Sequence, residues 1–96
     1  MKKEEILDKL REIKPVLEQN YGISEIGLFG SYLRGDYTPE SDIDILVEYS
    51  RVISLFKVVE IIEYLQDIFN KNIDLVSKED LKKILKSRIL NEVVYV

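Results

Sequence analysis

Hydrophobic periodicity in this chain switches repeatedly between the helical and the extended rhythm, and that alternation is the strongest constraint on its fold. Over residues 3–20 the apolar positions Ile6, Leu10, Ile13 and Leu17 lie on one helix face. Pro15 falls inside that pattern and is expected to kink or shorten the helix, with Gly22 as its stop. Residues 23–29 (ISEIGLF) are short, apolar and partly β-branched, and predict a strand. Residues 31–34 predict a helical turn ending at Gly35, and residues 36–41 (DYTPES) a loop. A second strand follows at 42–48 (DIDILVE), where Ile43, Ile45 and Val47 alternate with Asp42, Asp44 and Leu46. Ser54 is placed to cap a helix over 55–69, with Leu55, Val58, Val59, Ile62, Leu65 and Phe69 in helical register. Residues 72–76 (NIDLV) predict a third strand. Ser77-Lys78-Glu79-Asp80 has the form of a capping box, so the last helix is expected to open there and run through Leu81, Ile84, Leu85 and Arg88. The uncharged tail 93–96 (VVYV) fits either a core strand or a docking surface for a partner. This order predicts a single α/β (α+β) domain over residues 1–96, a small mixed sheet of about three strands flanked by helices.

Composition narrows the chemistry. The chain contains no histidine and no cysteine. That excludes disulfides, thiolate nucleophiles, zinc ribbons, imidazole bases and Ser-His-Asp triads. Any metal must sit on oxygen ligands, which favours Mg²⁺, Mn²⁺ or Ca²⁺. With 14 Lys+Arg against 18 Asp+Glu, the net charge of −4 argues against broad, charge-driven nucleic-acid binding. No apolar run approaches the roughly 18 residues of a membrane span. The start MKKEE leads into amphipathic sequence rather than a signal peptide, so a cytoplasmic protein is expected.

The chemistry that remains concentrates in the middle of the chain. Asp42 and Asp44 are two positions apart on one expected strand, so their side chains share a face. Two bare carboxylates there call for compensation, and a hard divalent cation supplies it; a solvated strand face is the plainer explanation of the same spacing. Asp74 lies in similar surroundings on the third expected strand, and joins the pair if that strand lies beside the second. Three carboxylates around one or two Mg²⁺ ions suit in-line displacement at phosphorus. Gly30-Ser31 directly follows a strand, where a residue without Cβ lets an anion approach the backbone and a hydroxyl can reach it. An ordinary turn with a serine cap has the same form. Arg34 is placed to reach phosphate or an aspartate, or to form an ion pair with Asp42 or Asp36. Ser41 is placed to brace the start of the strand and orient Asp42.

Taken together, Leu28-Phe29-Gly30-Ser31, Arg34-Gly35 and Ser41-Asp42-x-Asp44 resemble the signature of the polymerase-β-type nucleotidyltransferases. The chain length and the ending Arg88 to Val96 resemble the smallest branch of that superfamily, the minimal nucleotidyltransferases. The resemblance implies the nucleotidyltransferase fold. It implies that Asp42 and Asp44 hold the metal, that Asp74 is the third acidic residue, and that Gly30 and Ser31 hold the triphosphate. The implied reaction is Mg²⁺-assisted attack of a hydroxyl on the α-phosphorus of ATP, with two ions and with Mn²⁺ as a substitute. Minimal nucleotidyltransferases commonly resemble the antitoxin half of a module whose partner is a helical HEPN ribonuclease. In that family AMP is transferred to a tyrosine of the toxin, which implies a hetero-oligomer. The chain leaves little room for an acceptor-binding domain, so the acceptor is expected to bring its own surface. Neutralisation by binding alone, and transfer to a small molecule through a partner subunit, are the alternatives.

Overall fold

A computed structural model describes all 96 residues, Met1–Val96. Helix α1 (Lys3–Tyr21) buries Ile6, Leu7, Leu10, Ile13 and Leu17 along one face. It is not shortened at Pro15. The proline removes one helical donor, while the burial of Ile13 and Leu17 on either side of it holds the next turns in place. The helix ends at Gly22 in the left-handed conformation, whose N–H donates to the Glu18 carbonyl at 2.9 Å.

Strands β1 (Ile23–Phe29) and β2 (Ile43–Tyr49) run antiparallel. Between them lie the short helix α2 (Ser31–Arg34) and a loop. Helix α3 (Leu55–Phe69) carries the chain across to β3 (Ile73–Ser77), which pairs parallel to β2. Ser54 caps α3 as expected, its hydroxyl accepting the Lys57 N–H at 3.3 Å. The sheet is mixed and has four strands in the order β3-β2-β1-β4, one more than the expected three. The addition is β4 (Val94–Tyr95), which pairs antiparallel to β1 and turns the apolar tail into an edge strand. A two-residue strand has no periodicity of its own and exists only through that pairing.

Strand alternation divides the sheet into two faces. Ile26, Leu28, Ile43, Ile45, Val47 and Ile73 join the core beneath α1 and α3. Their neighbours along the strands, including Phe29, Asp44, Leu46 and Asp74, therefore point to the opposite face. Leu46 and Phe29 are buried there, outside the main core cluster. In α3 the inward residues are Ile61, Leu65 and Phe69, whereas Leu55 and Val59, placed in the apolar register from the sequence, are exposed. With Val52 and Phe56 they leave a patch of apolar side chains at the start of α3.

The last helix opens later than the capping box predicts. The Ser77 hydroxyl accepts the N–H of Glu79, two residues on, and so closes a single 3₁₀ turn over Lys78–Asp80. Leu81 is extended, and α4 begins at Lys83 and ends at Glu92 without a single buried residue. No helix is long and apolar enough to cross a membrane.

Gly27 is required by the β4 pairing. A Cβ there would stand 2.7 Å from Val93 Cγ2 and 2.9 Å from the Val94 carbonyl oxygen, too close for any side chain. Gly27→Val is therefore expected to destabilise the protein by about 1–3 kcal/mol, the usual cost of overpacking. Denaturant unfolding measures that cost, and hydrogen exchange should show protection lost at Val96, whose N–H donates to Ile26, but retained along α1.

Candidate active site

Strand β2 carries the centre of the site because it is flanked on both sides. Asp44 lies opposite Phe29 of β1 and opposite Asp74 of β3. The parallel pairing of β2 with β3 thus brings together the two carboxylates whose meeting the sequence left conditional. Asp42 immediately precedes β2. The loop before it is closed by Ser41, whose hydroxyl accepts the Thr38 N–H at 2.9 Å and whose N–H donates to the Thr38 carbonyl at 3.0 Å. An Ile43 N–H bond to the Asn72 carbonyl, 3.0 Å, fastens the start of β2 to the segment leading into β3.

Asp42 and Asp74 are exposed and Asp44 is half-buried. Burial pushes the Asp44 carboxyl up to about 6, helped by the charge and hydrogen bonding of Asp74 and by the charge of Asp42, with Arg34 opposing. The donors are all oxygens and carry surplus negative charge, which suits a hard divalent cation. No three acidic side chains converge closely enough to cage a metal by themselves. Magnesium seldom uses such a cage: one or two carboxylates, substrate phosphates and water complete its octahedron. These residues fit an ion that arrives with a phosphate substrate.

The turn between β1 and α2 abuts this cluster. Gly30 has φ 79° and ψ −157°, and a Cβ on it would fall on the Asp44 carboxylate. Only glycine allows both the backbone conformation and the close approach. Its N–H does not point into open space, as an anion site would require. It donates to Glu92 Oε2 at 2.9 Å. Arg34 donates to the other oxygen, Glu92 Oε1, at 2.7 Å, and to Asp36 at 3.4 Å. Of the ion pairs open to Arg34 from the sequence, the one with Asp36 forms and none with Asp42 does. Burial alone would raise the Glu92 carboxyl, but the bonds from Arg34 and Gly30 and the charge of Arg88 outweigh it and hold the group below the ordinary range.

Glu92 was not singled out from the sequence. The available signal is slight: it is the only acidic residue after Asp80 and directly precedes the uncharged tail. Beside Asp42, a polar groove of about 520 Å³ runs between the loop and the end of α3, with Ser41, Gln66, Asn70 and Asn72 in its wall and no apolar residue.

The nucleotidyltransferase domain family matches residues 10–96. This chain belongs to it. The nucleotidyltransferase is 44% identical over 93 residues to the protein adenylyltransferase MntA of Thermococcus cleftensis, covering 97% of this chain and 94% of that protein. A solved minimal nucleotidyltransferase superposes with a TM-score of 0.83 at 23% identity, over 98% of this chain and 95% of that one, a likeness of fold. A toxin–antitoxin crystal structure with AMP-PNP superposes with a TM-score of 0.73 at 26% identity, over 88% of this chain and 69% of that one.

The raised Asp44 carboxyl makes stability depend on pH in a definite direction. Folded protein keeps a proton that the unfolded chain releases near 3.8, so the stabilisation is complete below that value and is lost as pH rises through about 6. Asp44→Asn should remove this slope and raise the metal-free thermal midpoint at neutral pH by a few degrees. Calorimetry of both proteins from about pH 4 to 7 in chelator tests this by difference, which cancels the carboxylates that are not coupled to Asp44.

Proposed function

We propose that this nucleotidyltransferase is an antitoxin-type protein adenylyltransferase: it transfers AMP from ATP, with Mg²⁺, to a tyrosine hydroxyl of a helical HEPN ribonuclease partner and so silences it. The observation that carries the reading is Asp44, wedged between the Gly30 backbone and Asp74 in a chain 44% identical to a protein adenylyltransferase.

In this reading Asp42 and Asp44 would hold one divalent ion, and Asp74 would help to hold a second. Bound Mg²⁺ supplies charge neutralisation on the triphosphate and lowers the pKa of the attacking hydroxyl. Gly30, by lacking a side chain, leaves room for the Asp44 carboxylate against the turn, and the Ser31 hydroxyl that follows it helps orient the triphosphate, which is a positioning contribution. The tyrosine oxygen forms a bond to the α-phosphorus as the bond from that phosphorus to the bridging oxygen breaks and pyrophosphate leaves. Asp74, exposed at the edge of the cluster, accepts the tyrosine proton, a role no histidine is present to fill.

The partner is supported by the surface as well as by likeness. Val52, Leu55, Phe56 and Val59 expose apolar side chains together at the start of α3, the kind of patch that marks a protein interaction site. An antitoxin working with its toxin in a hetero-oligomer accounts for them.

The test incubates the protein with its helical partner, ATP and Mg²⁺ and weighs the partner. A mass increase equal to AMP on a tyrosine peptide is expected. The double variant Asp42→Asn with Asp44→Asn should lose transfer by more than 10²-fold, since even outer-shell partners of a metal cost about 10–100-fold. Undiminished neutralisation by that variant would instead identify a protein that acts by contact alone. Millimolar Mg²⁺ with ATP should raise the thermal midpoint of wild type and leave that of the variant unchanged.

A further inference from the structure

Two donors from one turn meet at one carboxylate. Glu92 accepts the Gly30 N–H on Oε2 and the Arg34 guanidinium on Oε1, at 2.9 and 2.7 Å. Its side chain is 18% exposed. It lies at the junction of α4 and β4, two residues before Val94, which pairs with Leu28 of β1. The sheet therefore fixes the backbone on both sides of the contact: Leu28 lies just ahead of Gly30 on one strand, and Val94 just after Glu92 on the other.

What Glu92 holds is the peptide that limits Asp44. Gly30 has a positive φ that its missing Cβ leaves open to it, and the Asp44 carboxylate packs directly against its Cα. A charged acceptor on the Gly30 N–H fixes the rotation of that peptide more firmly than water would. Rotation of the peptide would move the wall on which the Asp44 carboxylate rests. Arg34, drawn to the other Glu92 oxygen, is thereby held at the end of α2, from which its charge acts on Asp44.

We propose that Glu92 is a positioning residue for nucleotidyl transfer: through the Gly30 N–H and the Arg34 guanidinium it sets the turn against which the Asp44 carboxylate is aligned. This rests on the adenylyl-transfer reading of the same site. The opposite role would be that of a competitor, in which Glu92 occupies donors meant for phosphate and gives way to it. The two roles predict opposite signs on removal of the carboxylate.

The experiment uses the full chain with its helical partner, ATP and Mg²⁺, and compares Glu92→Ala, Glu92→Gln and Glu92→Asp. Glutamine keeps a carbonyl oxygen for the Gly30 N–H, whereas aspartate is one methylene too short to span both donors. Glu92→Ala and Glu92→Asp should lower kcat by about 10–100-fold, the range for groups that orient a metal-binding residue, with KM for ATP little changed. Glu92→Gln, which keeps the Gly30 bond but offers Arg34 no second acceptor, should recover part of kcat. Hydrogen exchange read without substrate should show the Gly30 amide protected in wild type and Glu92→Gln, and unprotected in Glu92→Ala. If Glu92→Ala does not fold, the contrast between Asp and Gln carries the test. Wild-type kcat in folded Glu92→Ala, a lowered KM for ATP, or Gln as impaired as Ala would each overturn the proposal. A wild type that transfers nothing overturns the adenylyl-transfer reading, while protection at Gly30 still decides whether Glu92 positions the turn.

Discussion

The Asp44 carboxylate is pressed against the Gly30 backbone on one side and set beside Asp74 on the other. Both contacts are unfavourable for a lone protein: one withdraws a charge from water, and the other adds a like charge. Much of the local architecture follows from tolerating them. Gly30 must be glycine, β3 must run parallel to β2 so that Asp74 comes level with Asp44, and α3 must cross over to allow that direction. Folding on its own does not reward this arrangement. In the adenylyl-transfer reading a substrate that brings a cation does, because the binding free energy then offsets the repulsion built into the free protein.

The two faces of the sheet separate the tasks. Ile43, Ile45 and Val47 anchor β2 in the core beneath α1 and α3, while Asp44, between Ile43 and Ile45, points the other way. A rigid inner face allows a strained outer one: the strand cannot relieve the crowding of Asp44 without lifting fully buried isoleucines out of the core. Lys78 performs the neutralising role at the other end of the same strands, bonding Glu25 at 3.2 Å and Glu48 at 3.6 Å beneath the Tyr95 ring. At the Asp42–Asp44–Asp74 end the neighbouring cation, Arg34, is committed to Glu92 and Asp36. The acidic end is thus left open to an external cation.

The parts of this design that show in the sequence are those whose cause is local. Asp42 and Asp44 stand two apart within a strand pattern, and Gly30-Ser31 follows a strand directly, so spacing alone exposes them. Asp74 was legible only on a condition, the pairing of β3 with β2, which no local signal decides. The pieces missed depend on distant contacts. Strand β4 exists through its bonds to β1, and Glu92 reaches Gly30 across 62 positions of sequence. Pro15 does not shorten α1 because its local cost is outweighed by burial on both sides, and Ser77 opens only a 3₁₀ turn because its hydroxyl takes the nearer of two N–H partners. Leu55 and Val59 kept the helical period yet stayed exposed, since periodicity records an apolar face without saying what covers it.

That last point joins the surface to the chemistry. In the adenylyl-transfer reading, a site without a closed protein cage is completed by what binds to it, and an apolar patch without internal cover by the partner. Helix α4 belongs to the same pattern. It has no buried residue, and it is tied to the site at its last residue, Glu92. The helix can therefore yield to an acceptor surface at little cost to the core, while its end remains fixed beside Gly30 by the pairing of β4. In the adenylyl-transfer reading this is the useful division: the phosphate-facing turn is held from within, and the adaptable surface around it is left for the protein that receives the nucleotide.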